Sequence, residues 1–321
     1  MLSRRAFAAL AAAAPAAALA QDFPRQTVRM VVPFAPGGAT DIVARILSPG
    51  MQEAFGGTTV VVENRGGAAG MIGAEAVLNA PADGHTVTLF TITNAVLNAG
   101  LVRNPRLDPR IAFAPVSLIV TMPMVLTVGN HVPARTLPEF IAWLRSRPGR
   151  SSYGSAGTGS INHLGAHLFT MRTATQAEHI PYRGAGLVYA DMAAGNVDWL
   201  VEGIASQAPQ VRAGTVRALA VLARQRNPLL PEVPTAIEAG VPDFEIMNFM
   251  GLFAHAATPA PLLARLGRAA QAAVANPAIA ARLRDAGTEP AGTTADEFRG
   301  FWQAQLALWL PVVEASGVRL D

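Results

Sequence analysis

Apolar residues recur along this chain in two rhythms, short β-branched runs and longer stretches with one apolar face, punctuated by glycine, proline and asparagine. Val28 to Phe34 reads as a buried strand, and Ala39 to Phe55 as a helix with Ile42, Val43, Ile46 and Leu47 on one face. Gly56-Gly57 stops that helix, and Thr58 to Val62 is the next strand. A helix from Met71 to Asn79, the turn Asp83-Gly84 and a strand through Val87, Leu89 and Phe90 complete a first unit. Farther on, helices are expected near Leu137 to Arg147, Ser160 to Met171, Leu187 to Ala194 and Ala205 to Arg212. Extended runs at His179 to Gly184, Val197 to Val201 and Val216 to Leu222 alternate with them. Helices near Pro261 to Ala275, Ala278 to Ala286 and Ala295 to Glu314 close the chain. The alternation predicts an α/β protein with helices packed on a mostly parallel sheet.

Two longer extended stretches do not fit that alternation: Phe113 to Val128, broken by Pro123, and Phe244 to Ala254. They are expected to carry the chain between two lobes and back, which makes a hinge. At 321 residues the chain exceeds one ordinary domain. Residues 21–120 and 251–321 are assigned to a first lobe and 121–250 to a second.

The first residues belong to neither lobe. Ser3-Arg4-Arg5-Ala6-Phe7 followed by an alanine-rich run to Ala18-Leu19-Ala20 has the layout of an export signal cut before Gln21, by either the twin-arginine or the Sec route. Periplasmic localisation is therefore expected, and no later apolar run is long enough for a membrane span. Net charge is +3; without Arg4 and Arg5 the chain holds 23 basic residues against 22 acidic ones, which gives no electrostatic case for a nucleic-acid partner. The absence of cysteine excludes disulfides, thiolate metal sites and a cysteine nucleophile.

The candidate chemistry lies at two strand-to-helix junctions. Val31-Val32-Pro33-Phe34-Ala35-Pro36-Gly37-Gly38-Ala39-Thr40-Asp41 ends a strand and opens a helix, and Tyr153-Gly154-Ser155-Ala156-Gly157-Thr158-Gly159-Ser160 has the same design. In open α/β sheets ligands sit beyond the carboxyl ends of strands, where helix starts offer free N–H groups and the positive end of the dipole. Gly37 and Gly38 allow backbone approach; Thr40 or Asp41 is expected to cap the first turn, with the Thr40 hydroxyl within reach of a ligand. Ser155, Thr158 and Ser160 supply hydroxyls beside N–H groups freed by Gly157 and Gly159. A plain tight turn is the competing reading at each junction.

Other constellations are weaker. His163 and His167 have the i, i+4 spacing of zinc proteases, but Leu164 stands where the catalytic glutamate would be and no third ligand is evident, so no metal is expected. Neither Ser155 nor Ser160 sits in Gly-x-Ser-x-Gly, and no Gly-x-Gly-x-x-Gly opens the first helix. Glu63, Asn64 and Arg65 are expected to make structural hydrogen bonds.

Taken in order, VVPFAPGGATD at Val31 to Asp41, VVENR at Val61 to Arg65, ADGHT at Ala82 to Thr86, APVSL at Ala114 to Leu118, YGSAG at Tyr153 to Gly157, HIPYRG at His179 to Gly184, VRALAV at Val216 to Val221 and LPEVPTAIEAG at Leu230 to Gly240 resemble the Bug family of periplasmic solute-binding receptors of tripartite tricarboxylate transporters. The likeness spans nearly the whole chain after the signal. It implies a two-lobed periplasmic-binding-protein (Venus flytrap) fold with two chain crossings, and no catalysis. It also implies a carboxylate-bearing solute, a di- or tricarboxylate, amino acid or aromatic acid, held between the lobes and passed to membrane transporter subunits or a sensor. By this resemblance Ala35, Gly37, Gly38, Thr40 and Asp41 face Ser155, Gly157, Thr158 and Ser160 across the cleft, Thr91 and Asn94 lie on the next ligand-facing loop, and Arg183 on the second-lobe rim. Glu202 falls where such receptors commonly carry an aspartate, Gly66 replaces a usual proline, and Asn248-Phe249 stand where a Ser-Trp pair is frequent. No cofactor is implied, and a monomer is expected. The alternatives are a hydrolase using a cleft serine with His163, and a receptor for a neutral aromatic or amide ligand.

Overall fold

The computed structural model describes residues 23–34, 36–102, 104–182 and 185–320, so the expected export signal at 1–20 lies outside the described residues. The first half is built on β1 (Val28–Val32), β2 (Val60–Asn64) and β3 (Thr86–Thr91), with α1 (Ala39–Ala54) and α2 (Met71–Leu78) between them. β1 pairs with β2 and β3 in parallel, as a strand-helix-strand connection requires. In the second half β5 (Ser152–Ser155) pairs in parallel with β6 (Glu178–Pro181) and β7 (Trp199–Gly203). Helices α3 (Leu137–Arg145), α4 (Ile161–Thr173), α5 (Val188–Ala194) and α6 (Ile204–Arg212) and strand β8 (Val216–Val221) complete that half.

Two strands join the halves. β4 (Phe113–Gly129) is a single 17-residue strand. Its residues from Phe113 to Pro123 pair with β9 (Met247–His255), and from Met124 onward it pairs with β7 and β8. Pro123 therefore does not break the stretch as its sequence suggested. Proline removes one donor, and here that loss falls at the changeover between two sets of partners, where Met124 resumes bonding by donating to the Ile246 carbonyl at 3.1 Å.

The sheet is also less parallel than expected. β4 pairs antiparallel with β7, β8, β9 and the short β10 (Glu289–Pro290), and β9 pairs antiparallel with β3. β9 follows β8 with no helix between them and runs antiparallel to both of its neighbours, β3 and β4, a pairing that needs no helical crossover.

The C-terminal helices α7 (Ala260–Ala275), α8 (Pro277–Asp285) and α9 (Ala295–Ser316) return to the first half. α9 starts at a capping box between Thr294 and Glu297 and buries Phe298, Trp302 and Trp309. Trp302 Nε1 donates to the Ala95 carbonyl at 2.7 Å, which ties α9 to the segment after β3. The largest apolar cluster runs through both halves, from Phe90, Phe253 and Phe298 to Phe140, Phe169, Trp199 and Phe244. Among the described residues no helix is long and apolar enough to cross a membrane.

Candidate functional site

The loop between β1 and α1 is held from behind. Asp41, 3% exposed, accepts hydrogen bonds from the Gly37 N–H at 2.9 Å, Arg45 Nε at 3.0 Å and Asn64 Nδ2 at 3.0 Å. Asn64 Nδ2 also reaches the Phe34 carbonyl at 3.2 Å. The Arg45 hydrogen bond, aided by those from Gly37 and Asn64, holds the Asp41 carboxyl below the usual carboxylate range against the effect of burial. Gly37, at φ +83°, makes the turn this clamp needs. The N-cap of α1 is Gly38 without a side-chain cap, so neither Thr40 nor Asp41 caps the helix. The first N–H groups, at Ala39 and Thr40, thus have no partner within the helix.

At the second junction β5 ends at Ser155 and α4 begins at Ile161. Ser160 is the N-cap: its hydroxyl accepts from the His163 N–H at 3.3 Å and donates to the Gly157 carbonyl at 2.7 Å. Gly157 and Gly159 both have positive φ, +126° and +79°. A Cβ at Gly159 would lie 3.0 Å from Leu101 Cδ1 and 3.5 Å from Leu320 Cδ1, so this loop is pressed against first-half residues. Beneath it the rings of His163 and His179 stack at 3.7 Å and 8°, with Tyr153 alongside. Burial brings both histidines down to about 4, and for His163 the neighbouring His179 and His167 add to the effect. The Gly159 N–H donates to His163 Nδ1 at 3.1 Å, which requires that nitrogen to be unprotonated.

The two junctions line one cavity of about 490 Å³. Phe34, Gly38, Ala39 and Thr40 form one side with Thr91 at the end of β3, Thr93 in the turn after it and Asn248 from β9; residues 156–162 and Glu202 form the other. Another hollow of about 370 Å³, among Gln26, Arg29, Asp83 and His85, sits at the amino ends of β1 and β3 and draws on the first half alone.

Of the residues expected at the site, Gly38, Thr40, Thr91, Gly157, Thr158, Ser160 and Glu202 line the cavity. Ala35 and Arg183 lie outside the described residues. Four do not line it, and each is engaged elsewhere. The Gly37 N–H is taken by Asp41, and the Asp41 carboxylate by its clamp. Asn94 Oδ1 accepts from the Thr91 N–H at 3.3 Å and the Thr91 hydroxyl at 3.1 Å, so Asn94 sets Thr91 in place. Ser155 Oγ lies 2.6 Å from His179 Nε2 and accepts from the Gly157 N–H at 3.1 Å. That is a serine-histidine pair, but its serine is fully buried behind the loop and His179 is partly buried. Glu63 and Asn64 do make structural bonds, Glu63 with Arg29 and Arg65.

Thr93 and Asn162 were not anticipated. The signal for Asn162 was its place in the first turn of α4, two residues past Ser160, where a side chain returns toward the helix start. Asn162 Nδ2 donates to the Val201 carbonyl and to Glu202 Oε2, both at 2.8 Å, while Glu202 Oε1 accepts from the Gly203 N–H at 2.6 Å. Burial pushes the Glu202 carboxyl up, against hydrogen bonds from Gly203, Asn162 and Ser206 that pull it down.

Comparison with known proteins agrees with this architecture. Residues 43–318 match the family described as "Tripartite tricarboxylate transporter family receptor". Protein BugT of Bordetella pertussis is 33% identical over 303 residues, spanning 94% of this chain and 92% of its own length. Rpa4515 of R. palustris, solved with adipate, is 32% identical with a TM-score of 0.82, covering 93% of this chain and 99% of that one. MatC from Rhodopseudomonas palustris, solved with bound malate, is 32% identical with a TM-score of 0.78, covering 91% and 100%. Similar folds over nearly the full length of each partner bear out the expected two-lobed periplasmic-binding-protein fold. With the family match running from α1 to the end of α9, this chain belongs to the tripartite tricarboxylate transporter receptor family and is a Bug-type solute-binding protein.

Proposed function

We propose that this chain is an exported, non-enzymatic receptor that closes in the periplasm on a small carboxylate-bearing solute and passes it to a tripartite tricarboxylate-type membrane transporter or sensor. The observation that carries the reading is the single cavity with a helix start on each side, Gly38 to Thr40 on one and residues 156–162 on the other. A carboxylate there meets N–H groups that α1 and α4 do not use, and the positive ends of two dipoles, each worth roughly 0.3–1 kcal/mol and more when partly buried. Hydroxyls of Thr40 and Thr158 stand beside them, while those of Thr91 and Ser160, also in the lining, donate to Asn94 and Gly157. The adipate and malate bound by two relatives are acids of this class. The working division is a first lobe of residues 21–120 and 251–321 and a second of 121–250, acting as a monomer. A ligand favours closure only through contacts that are better in the closed state, so it must touch both lobes.

Thermal shift of the purified protein against a panel of organic acids tests this directly. A true ligand at about a hundred times its dissociation constant adds roughly 2.7 kcal/mol of stability. Thr40→Ala and Thr158→Ala, on opposite walls, should each weaken binding by about ten-fold or more, the worth of one hydrogen bond to a charged group. Unchanged affinity in both variants, or turnover of the recovered acid, would defeat the reading.

A further inference from the structure

The walls of the cavity are chemically unequal. Among the described residues lining it, Glu202 is the one with an ionisable side chain, and no arginine or histidine joins it. Arg45, the nearest cation along α1, is bonded to Asp41 outside the lining. A ligand carboxylate is therefore met by neutral donors at the helix starts, and the region around Glu202 offers something else.

A carboxylate has about four lone-pair positions. At Glu202 they receive the Gly203 N–H and the Asn162 amide, while the nearby Ser206 hydroxyl donates to the Gly203 carbonyl at 3.0 Å, which leaves acceptor capacity on a group that lines the cavity. Both Asn162 amide hydrogens are engaged, on the Val201 carbonyl and on Glu202, so Asn162 has its carbonyl oxygen left to offer. Acceptors and one partly buried acid make up this corner. A second ligand carboxylate placed here would face like charge in a desolvated site, whereas an ammonium would supply both the missing hydrogen and the opposing charge. A hydroxyl would supply the hydrogen alone.

We propose that Glu202 and Asn162 form an acceptor subsite for a proton-donating group on the ligand, so that the solute is a carboxylic acid bearing an ammonium or, more weakly held, a hydroxyl group, in preference to a plain diacid. This rests on the receptor reading above and narrows its substrate class. Burial of the Glu202 carboxyl agrees with it, because an adjacent cation offsets the cost of an ionised group removed from water.

The test is calorimetric titration of the full mature chain with matched acids that differ only by the donor: succinate, malate and aspartate; glutarate and glutamate; adipate and α-aminoadipate. Within the best-binding chain length the ammonium acid should bind at least about ten-fold more tightly than the plain diacid, with the hydroxy acid between them. In Glu202→Gln, which keeps the size and removes the charge, that ratio should collapse while the plain diacid binds as well as before or better. Glu202→Asp, which keeps the charge, should retain the order of preference. Equal affinity for diacid and amino acid in the wild-type chain overturns the subsite, whether or not Glu202→Gln folds, and so does an unchanged ratio in that variant. If no acid of any length binds, it is the receptor reading that has failed, and the subsite with it.

Discussion

Acid should loosen this protein in a pH window where the Asp41, Glu63 and Asp108 carboxylates are still ionised, because of the histidine stack beneath the 156–160 loop. In the folded chain His163 titrates near 4 instead of 6.5. A base with a depressed folded value contributes stability that is complete above its unfolded value and is lost as pH falls toward the folded one. Between about pH 7 and about pH 5 that difference removes roughly 2 kcal/mol for His163 alone. His179, shifted the same way but only partly buried, adds less because solvent screens it. A total loss of roughly 2–4 kcal/mol is a large share of the ~5–15 kcal/mol that holds a typical domain together. The carboxyls of Asp41, Glu63 and Asp108 are held below their usual values and so lose their contributions only at still lower pH. Urea unfolding of the ligand-free protein at the two pH values, followed by tryptophan fluorescence, reads the effect, since Trp199 lies 5.1 Å from Tyr153 in the same stack. His163→Asn keeps an acceptor for the Gly159 N–H and removes the titration, so its acid loss should shrink by about 2 kcal/mol. Protonation also deprives Gly159 of its acceptor, so ligand affinity of the wild type should fall over the same range. Equal stability at both pH values, or a full acid loss in His163→Asn, would refute the reasoning.

Other substitutions separate the residues that face the cavity from those that support it. Ser155→Ala strands the Gly157 N–H and His179 Nε2, so unfolding by urea should show a loss of about 1–3 kcal/mol, with a smaller direct effect on affinity than Thr158→Ala has. Gly70→Ala places a Cβ hard against Asn94 Nδ2 at a residue with φ +87°, and should cost roughly 2–4 kcal/mol while loosening Thr91; a melting temperature like that of the wild type would contradict the packing. Asp41→Asn should destabilise the protein by about 1–3 kcal/mol at neutral pH. Because the folded value of Asp41 is depressed, that penalty should fade as the wild-type carboxyl is itself protonated on strong acidification. For Glu202 the sign is reversed. Its folded value is raised, so the ionised form opposes folding, and the stability difference between wild type and Glu202→Gln should move in favour of wild type as pH falls.

The two glycine-bearing helix starts could be read in the chain because their physics is local. A strand that ends in small residues and leads straight into a helix leaves N–H groups unpaired whatever the rest of the molecule does. The crossing segments could be read because two long apolar runs, Phe113 to Val128 and Phe244 to Ala254, fit no helix-strand alternation. Their hydrogen-bonding partners could not. Whether Pro123 interrupts a strand depends on which neighbour faces its missing N–H, and that neighbour comes from more than a hundred residues away.

The same division runs through the site. Sequence alone determined which loops meet the cavity, and with them Gly38, Thr40, Gly157, Thr158 and Ser160. Tertiary structure decided which polar side chains within those loops remain available. Asp41 is claimed by Asn64, 23 positions away, and Ser155 by His179, 24 away. Asn162 meets Glu202 across 40 residues and becomes part of the wall. A buried polar atom must find a partner, and a side chain that has found one within the protein has little left to give a ligand. Helix starts are written in neighbouring residues; the choice between supporting and binding is made only when distant segments pack.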